Sequence, residues 1–373
     1  MLRMMRIRKT ILLNPGPVTT TDSVKMAQVV PDICPREKEF GNLLVSISND
    51  ITRIAGGGQD YFTVLFGGSG TAGLDATINS VLSPKKKILV INNGEYGKRM
   101  VEIAMAYSIK VSELKFKLNE TPNLHKIEEA LLKDDEIECV AMVHHETTTG
   151  LLNPVKQIGQ LVKKYNKLLI VDAVSSFGGI PINVKDFNID FMVSIPNKCI
   201  QGMAGICFVI CKKNELEKIK NHPRKSFYLN LYDQYTFFKD KHEMRFTPPV
   251  QTIYALRKAL DEFLEEGVEN RYTRYTENWQ ILRKGVEKIG FKILLKPEQE
   301  SHFLITILYP NNSNFDFYEL HDKLYEKGYT IYPGKIGTLH TFRLANIGNL
   351  NSEDIYNFLE DLKIVIEEIG VKL

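Results

Sequence analysis

The chain has 373 residues, 43% of them hydrophobic and 25% charged, with a formal net charge of +3. That is ordinary globular composition, long enough for two domains or for one large domain and a smaller one. So mild a basic balance, with no stripe of lysine and arginine interleaved with aromatics, excludes nucleic acid as the expected partner.

In chain order, the basic start MLRMMRIRKT leads only into ILLN. That apolar run is too short for the core of a secretory signal. Nowhere does a run approach the roughly 18 apolar residues of a membrane span, so a cytoplasmic protein with no membrane partner is expected. From Tyr61 to Lys213 short β-rich runs alternate with helical periodicity. YFTVLF precedes TAGLDATINSVL, KKILVINN precedes EYGKRMVEIAMAY, and ECVAMVHH precedes VKQIGQLVKKYN; KLLIVDAV, DFMVSI and GICFVIC follow. These strands are apolar throughout rather than alternating, which predicts a mostly parallel sheet buried on both faces in an α/β domain. Ligands of such sheets are expected at the carboxyl ends of the strands. Beyond Val250 two long helices are predicted, stopped by Gly267 and Gly290. Strands HFLITILY and TFRLAN and helices FYELHDKLYEKG and EDIYNFLEDLKIVIEEIG then predict a smaller α+β domain. Five cysteines, at 34, 139, 199, 207 and 211, form no spacing framework; Cys207 and Cys211 share one face of a strand and read as reduced core thiols.

Three features bear chemistry. FGGSGTAG ends a strand and opens a helix, and Gly68, Gly70 and Gly73 satisfy G-x-G-x-x-G. A nicotinamide dehydrogenase must therefore be considered. That fingerprint also requires an acid at the end of the next strand, and Asn92 and Asn93 stand there instead. What remains is a glycine turn whose backbone approaches an anion at a helix N-terminus, with Ser69 and Thr71 adding hydroxyl donors. Asp172 ends the apolar strand of LLIVDAVSSFGG; alone, such an aspartate is more often a cap or ion-pair member. Lys198, in SIPNKCIQG, sits in a turn between two buried strands, where an unpaired ammonium is costly. Together the three make the set that pyridoxal 5′-phosphate requires. Its phosphate takes the helix N-terminus, its pyridinium nitrogen a carboxylate, and its aldehyde a lysine amine as a Schiff base. Lys198 then need carry no buried charge.

The order GGSGT, NNGEYG, HHETTTGLLNP, VDAVSSFGGIP, NKCIQG resembles the class V aminotransferases of fold-type I, over nearly the whole chain from about Ile11. The resemblance implies a pyridoxal 5′-phosphate-dependent transferase fold. Residues 1–20 form an N-terminal segment near the active site, 21–250 a large cofactor-binding α/β domain, and 251–373 a small C-terminal α+β domain. It implies that Lys198 is the Schiff-base lysine, Asp172 the partner of the ring nitrogen, and Ser69, Gly70 and Thr71 the phosphate turn. Asn197 becomes a further cofactor contact, Tyr96 the aromatic stacked on the ring, and Thr147 a hydroxyl near the phenolic oxygen. Thr247, in RFTPP, becomes a phosphate contact given to the neighbouring subunit, which implies a homodimer. Arg343, in TFRLANIG, becomes the grip on the substrate's acid group. LLNPGPVTTT is read as closing over the substrate, with Thr19 and Thr20 as unassigned contacts. Ile195 and Pro196 stand where relatives often carry small residues, which bears on the pocket wall.

LLNPGPVTTT, DICPREKEF, NKCIQG and FRLANIG narrow the resemblance to enzymes acting on 2-aminoethylphosphonate and pyruvate. The implied reaction moves an amino group between them and leaves phosphonoacetaldehyde and L-alanine. An alanine–glyoxylate or serine–pyruvate aminotransferase is the nearest alternative, and Cys34 is the residue that would test for a cysteine desulfurase.

Overall fold

The computed structural model describes residues 9–336 and 339–373; most of the basic start lies outside the described residues. A seven-stranded sheet forms the centre. Across it the order is Tyr61–Gly67, Ile206–Lys212, Phe191–Ser194, Leu168–Asp172, Ile137–Val143, Lys87–Asn92, Lys110–Lys115. Every neighbouring pair is parallel except the two made by Ile206–Lys212, which runs antiparallel to both its neighbours.

The apolar runs have a simple cause. Along Ile206–Lys212, Ile206, Phe208 and Ile210 enter the core on one side of the sheet, while Cys207, Val209 and Cys211 enter the core on the other. With both faces covered, polar residues have no face to occupy. Helices Lys38–Ile54 and Val155–Lys164 cover the first side through Leu44, Ile47, Ile158 and Val162. Gly70–Val81 and Glu95–Ala106 cover the second through Leu74, Ile78, Met100 and Ala104.

Two elements depart from the strand–helix alternation read above. Lys110–Lys115 (KVSELK) is an edge strand with no buried residue, so it carries no apolar run to announce it. Helix Lys38–Ile54 lies ahead of the first predicted strand, although Phe40, Leu44, Ile47 and Ile51 do recur at helical spacing.

The C-terminal part is a second layer. Strands Leu304–Leu308, Leu339–Ala345 and Tyr332–Ile336 form an antiparallel sheet with Leu339–Ala345 in the middle. Helices Val268–Ile289, Phe317–Glu326 and Ser352–Glu368 share its core through Trp279, Leu282, Leu320, Phe358 and Leu362. Gly267 (φ 79°) and Gly290 (φ 115°) end the two long helices, as predicted. The N-terminal strand Ile11–Leu12 pairs with Tyr329–Thr330, and Ala345 N–H donates to Leu13 O at 2.7 Å. These bonds fix the start of the chain to this second layer, and the segment that follows sets Gly16 against Lys198. No helix among the described residues is long and apolar enough to cross a membrane.

Candidate active site

Strand Tyr61–Gly67 runs into Gly68 (φ 151°), then Ser69 in extended conformation, and helix Gly70–Val81 begins. Ser69 makes no side-chain cap, and while Ala72 N–H donates to Ser69 O at 2.9 Å, the N–H groups of Gly70 and Thr71 at the start of this 12-residue helix are left for another acceptor. A Cβ at Gly70 would stand 2.7 Å from Val174 Cγ2 and 3.4 Å from Ile195 Cγ2. Only glycine lets the turn lie against both the chain leaving Asp172 and the chain entering the Lys198 turn. Three motifs, the first over a hundred residues ahead of the other two, meet at that bare Cα.

Asp172 closes strand Leu168–Asp172 and is 3% exposed. Its Oδ1 accepts Val174 N–H at 2.9 Å; among the described residues no donor bonds Oδ2. Burial raises the pKa of this carboxyl, opposed by the Val174 N–H and by the positive charges of Lys198 and Arg99. A buried carboxylate with one free oxygen and two cations near it is equipped to accept from a protonated ring nitrogen. Beside it, His144 Nδ1 bonds Ser176 Oγ at 2.9 Å, and burial lowers its pKa to about 4, so that ring is neutral near pH 7.

Lys198 is 8% exposed, in the turn that follows strand Phe191–Ser194. No acidic group among the described residues pairs with its Nζ, which lies 5.9 Å from the centroid of Tyr96. The turn itself is held without the amine: Gly202 N–H donates to Pro196 O at 2.8 Å, and Arg271 Nη1 donates to Cys199 O at 2.8 Å. From the second layer, Gly16 presses onto the lysine stem. A Cβ there would meet Lys198 Cε at 2.8 Å, and the φ of 132° disfavours any other residue. Gly16→Ala is therefore expected to displace the amine and strain the backbone together, a cost of about 1–3 kcal/mol. The expected result is a fall in kcat of roughly tenfold or more with a lower melting temperature; a variant matching the parent in both would refute this packing.

Tyr96 lies in the first turn of helix Glu95–Ala106, and Glu146 positions that turn. Glu146 is fully buried and accepts Tyr96 N–H at 3.3 Å, Thr148 N–H at 3.1 Å and the Thr148 hydroxyl at 2.5 Å. A Cβ at Gly94 would fall 2.1 Å from its Cδ, which is why a glycine precedes Glu95. Thr147, next in the chain, is 1% exposed, and its hydroxyl has no partner. An orphaned buried hydroxyl is costly unless a ligand satisfies it, and a phenolic oxygen would.

Arg343 reaches over from strand Leu339–Ala345. Its Nη1 donates to Thr147 O at 2.9 Å and its Nη2 to Pro333 O at 2.9 Å, with the guanidinium carbon 4.9 Å from the Tyr332 ring centroid. Its Nε is buried without a partner. Arg343 and Thr147 are thus brought together directly; Gly70 lies against the chain beside Asp172 and Lys198, Thr71 is joined through Arg99 to Tyr96, Tyr96 lies near the Lys198 amine, and Asn197 precedes Lys198 in its turn. Thr247 does not join them: it is exposed on the loop before helix Val250–Glu266.

Thr19 is reassigned. Its hydroxyl donates to Thr10 O at 3.0 Å and accepts Leu12 N–H at 2.9 Å, so it fastens the N-terminal strand and its one O–H is already given. Glu146, His144 and Arg99 escaped the sequence reading. Arg99 Nη1 donates to the Thr71 hydroxyl at 3.4 Å, and the guanidinium carbon lies 4.7 Å from the Tyr96 ring centroid.

Residues 26–364 match the family model described as aminotransferase class-V. The chain is 42% identical over 96% of its length to the 2-aminoethylphosphonate–pyruvate transaminase of Phocaeicola vulgatus, 99% of which is covered. It is 43% identical to the enzyme of the same name from Bacillus cytotoxicus, covering 94% of this chain and 96% of that one. Among solved structures, the alanine–glyoxylate aminotransferase of Nostoc sp. superposes with a TM-score of 0.89 at 25% identity, over 98% and 97% of the two chains. The glycine-rich turn is therefore no dinucleotide fingerprint. With its cleft at the strand ends and its match over nearly all of its length, the chain belongs to the class-V aminotransferase family.

Proposed function

We propose that this chain transfers the amino group of 2-aminoethylphosphonate to pyruvate, giving phosphonoacetaldehyde and L-alanine, with pyridoxal 5′-phosphate in the cleft between the two layers. The observation that carries the substrate assignment is the 42% identity to an enzyme of that name over nearly the full chain. The cofactor assignment is supported by the family and by the meeting of turn, carboxylate and lysine at Gly70.

When bound, pyridoxal 5′-phosphate supplies an aldehyde that takes up the amino group and a ring that draws off the electron pair left by the departing proton. The protein does the rest. Lys198 would hold the cofactor's aldehyde through its amine, and the same amine would be the base that takes the proton from the substrate carbon and the acid that gives one back. Asp172 keeps a proton on the ring nitrogen. Thr147 would donate to the phenolic oxygen, Tyr96 would pack on the ring with Asn197 as a further contact, and Ser69, Gly70 and Thr71 would hold the phosphate. Arg343 takes the acid group of either substrate, its position set by the two carbonyls it already bonds. Residues 21–250 would thus carry the cofactor and 251–373 the acid-binding arginine, with residues up to 20 closing over Lys198. Ile195, packed under Gly70, sits behind the phosphate turn.

Two chains associate in this reading, so that Thr247 of one completes the phosphate site of the other. Its support is the exposure of Thr247 together with that of Phe227, 80% exposed, and Tyr228 nearby. Five free cysteines, four of them buried, suit the cytoplasm. The test is a half-reaction. With 2-aminoethylphosphonate alone, the protein should release one phosphonoacetaldehyde per chain and stop; pyruvate added afterwards should yield an equal amount of alanine. Turnover of alanine with glyoxylate but none of the phosphonate would reassign the substrate.

A further inference from the structure

Ten arginines lie among the described residues, and eight of them have a carboxylate within 4.0 Å. The two without one are Arg343 and Arg99, and both face the cleft. The proposed reaction brings two acid groups to that cleft, the cofactor's phosphate and the acid end of the substrate. Arg343 stands at the substrate side, bonded to Thr147 O and Pro333 O. Arg99 stands at the other end, one helical turn beyond Tyr96, with Nη1 3.4 Å from the Thr71 hydroxyl.

The electrostatics of that place are unusual. The N-terminus of helix Gly70–Val81 is the positive end of its dipole, with uncapped N–H groups. A guanidinium brought to it is repelled unless an anion lies between them. Nothing acidic among the described residues fills that role. No salt bridge to Arg99 forms among the described residues, and its positive charge is felt by the buried Asp172, whose pKa it helps to lower. The guanidinium carbon lies 4.7 Å from the Tyr96 ring centroid, a cation–π contact that holds Arg99 at this end of the cleft.

We propose that Arg99 binds the cofactor's phosphate, closing from the helix Glu95–Ala106 side the anion site that Ser69, Gly70 and Thr71 open. This rests on the pyridoxal phosphate reading above. It also divides labour between the two unpaired arginines: Arg99 serves the cofactor and Arg343 the substrate.

The experiment compares pyridoxal 5′-phosphate with pyridoxal, which lacks only the phosphate, as ligands of the full chain freed of cofactor, read by quenching of protein fluorescence. A charge-assisted bond of this kind contributes about 1.5–3 kcal/mol, so Arg99→Gln should weaken pyridoxal 5′-phosphate binding by roughly 10- to 100-fold. Pyridoxal binding should change by less than about twofold, and Arg99→Lys should recover part of the loss, since a lysine keeps the charge without the fork. Equal weakening of both ligands would mean that Arg99 merely supports Tyr96, and would overturn the proposal. So would unchanged cofactor binding with a raised KM for 2-aminoethylphosphonate, which would give Arg99 to the substrate. An unmutated chain that binds neither ligand would sink the cofactor reading itself, and this outcome is told apart because it needs no substitution.

Discussion

Lys198→Arg is expected to abolish amino transfer, lowering kcat by at least about 10³- to 10⁴-fold, while the protein keeps its fold. Arginine preserves the positive charge and most of the stem, but it never gives up its proton. It can neither condense with an aldehyde nor shuttle a proton, and proton transfer by a positioned side chain alone contributes about 10²- to 10⁴-fold. The fold should survive because the turn is secured elsewhere: Gln201 N–H donates to Lys198 O at 2.9 Å, Gln201 Nε2 to the Tyr275 hydroxyl at 2.7 Å, and Arg271 to Cys199 O. None of these uses the amine. Three measurements check this together: alanine formation from pyruvate, thermal melting, and borohydride reduction of the cofactor-loaded protein followed by peptide mapping. The label should fall on Lys198 in the parent and be absent from the variant. A variant retaining a tenth of the parent rate, or a label on another amine, would remove the foundation of the assignment.

How the sequence exposed this lysine, and hid its neighbours, follows from where each signal originates. Lys198 and Asp172 stood out because they interrupt or end apolar runs, where a charge is costly and so calls for a reason. The parallel sheet was legible for the same cause, since burial on both faces removes every polar position. The edge strand Lys110–Lys115 lacks that signature because its residues are at most partly buried, Val111 and Leu114 included. Arg99 and Glu146 offered no comparable contrast. An arginine three residues after a tyrosine on a helix is commonplace, as is a glutamate before a run of threonines. Their significance arises only when folding sets the N-termini of helices Gly70–Val81 and Glu95–Ala106 beside the turn Glu146–Gly150. Thr19 shows the converse. Its place in a conspicuous threonine run suggested a ligand contact, but a hydroxyl next to a strand has backbone partners competing for it, and here they win.

Asp172→Asn separates charge from shape at the other end of the proposed chemistry. Asparagine can still accept from Val174 N–H, the one protein bond the aspartate side chain makes among the described residues, so the strand end should be undisturbed. Removing an acid that burial already disfavours in its charged form should leave the melting temperature level or slightly higher. What is lost is the negative charge that keeps a proton on the ring nitrogen. An amide cannot do so, and the developing charge at the substrate carbon then has nowhere favourable to go. Loss of one such preorganised electrostatic partner typically costs about 10²- to 10³-fold in kcat, and the loss should fall on proton removal while KM changes little. Deuterium at the amine-bearing carbon of 2-aminoethylphosphonate gives the decisive readout. The isotope effect on kcat should be larger in the variant than in the parent, because the slowed step becomes the one that limits turnover. A variant within tenfold of the parent rate, or one whose isotope effect is unchanged, would mean that Asp172 does something other than hold that proton.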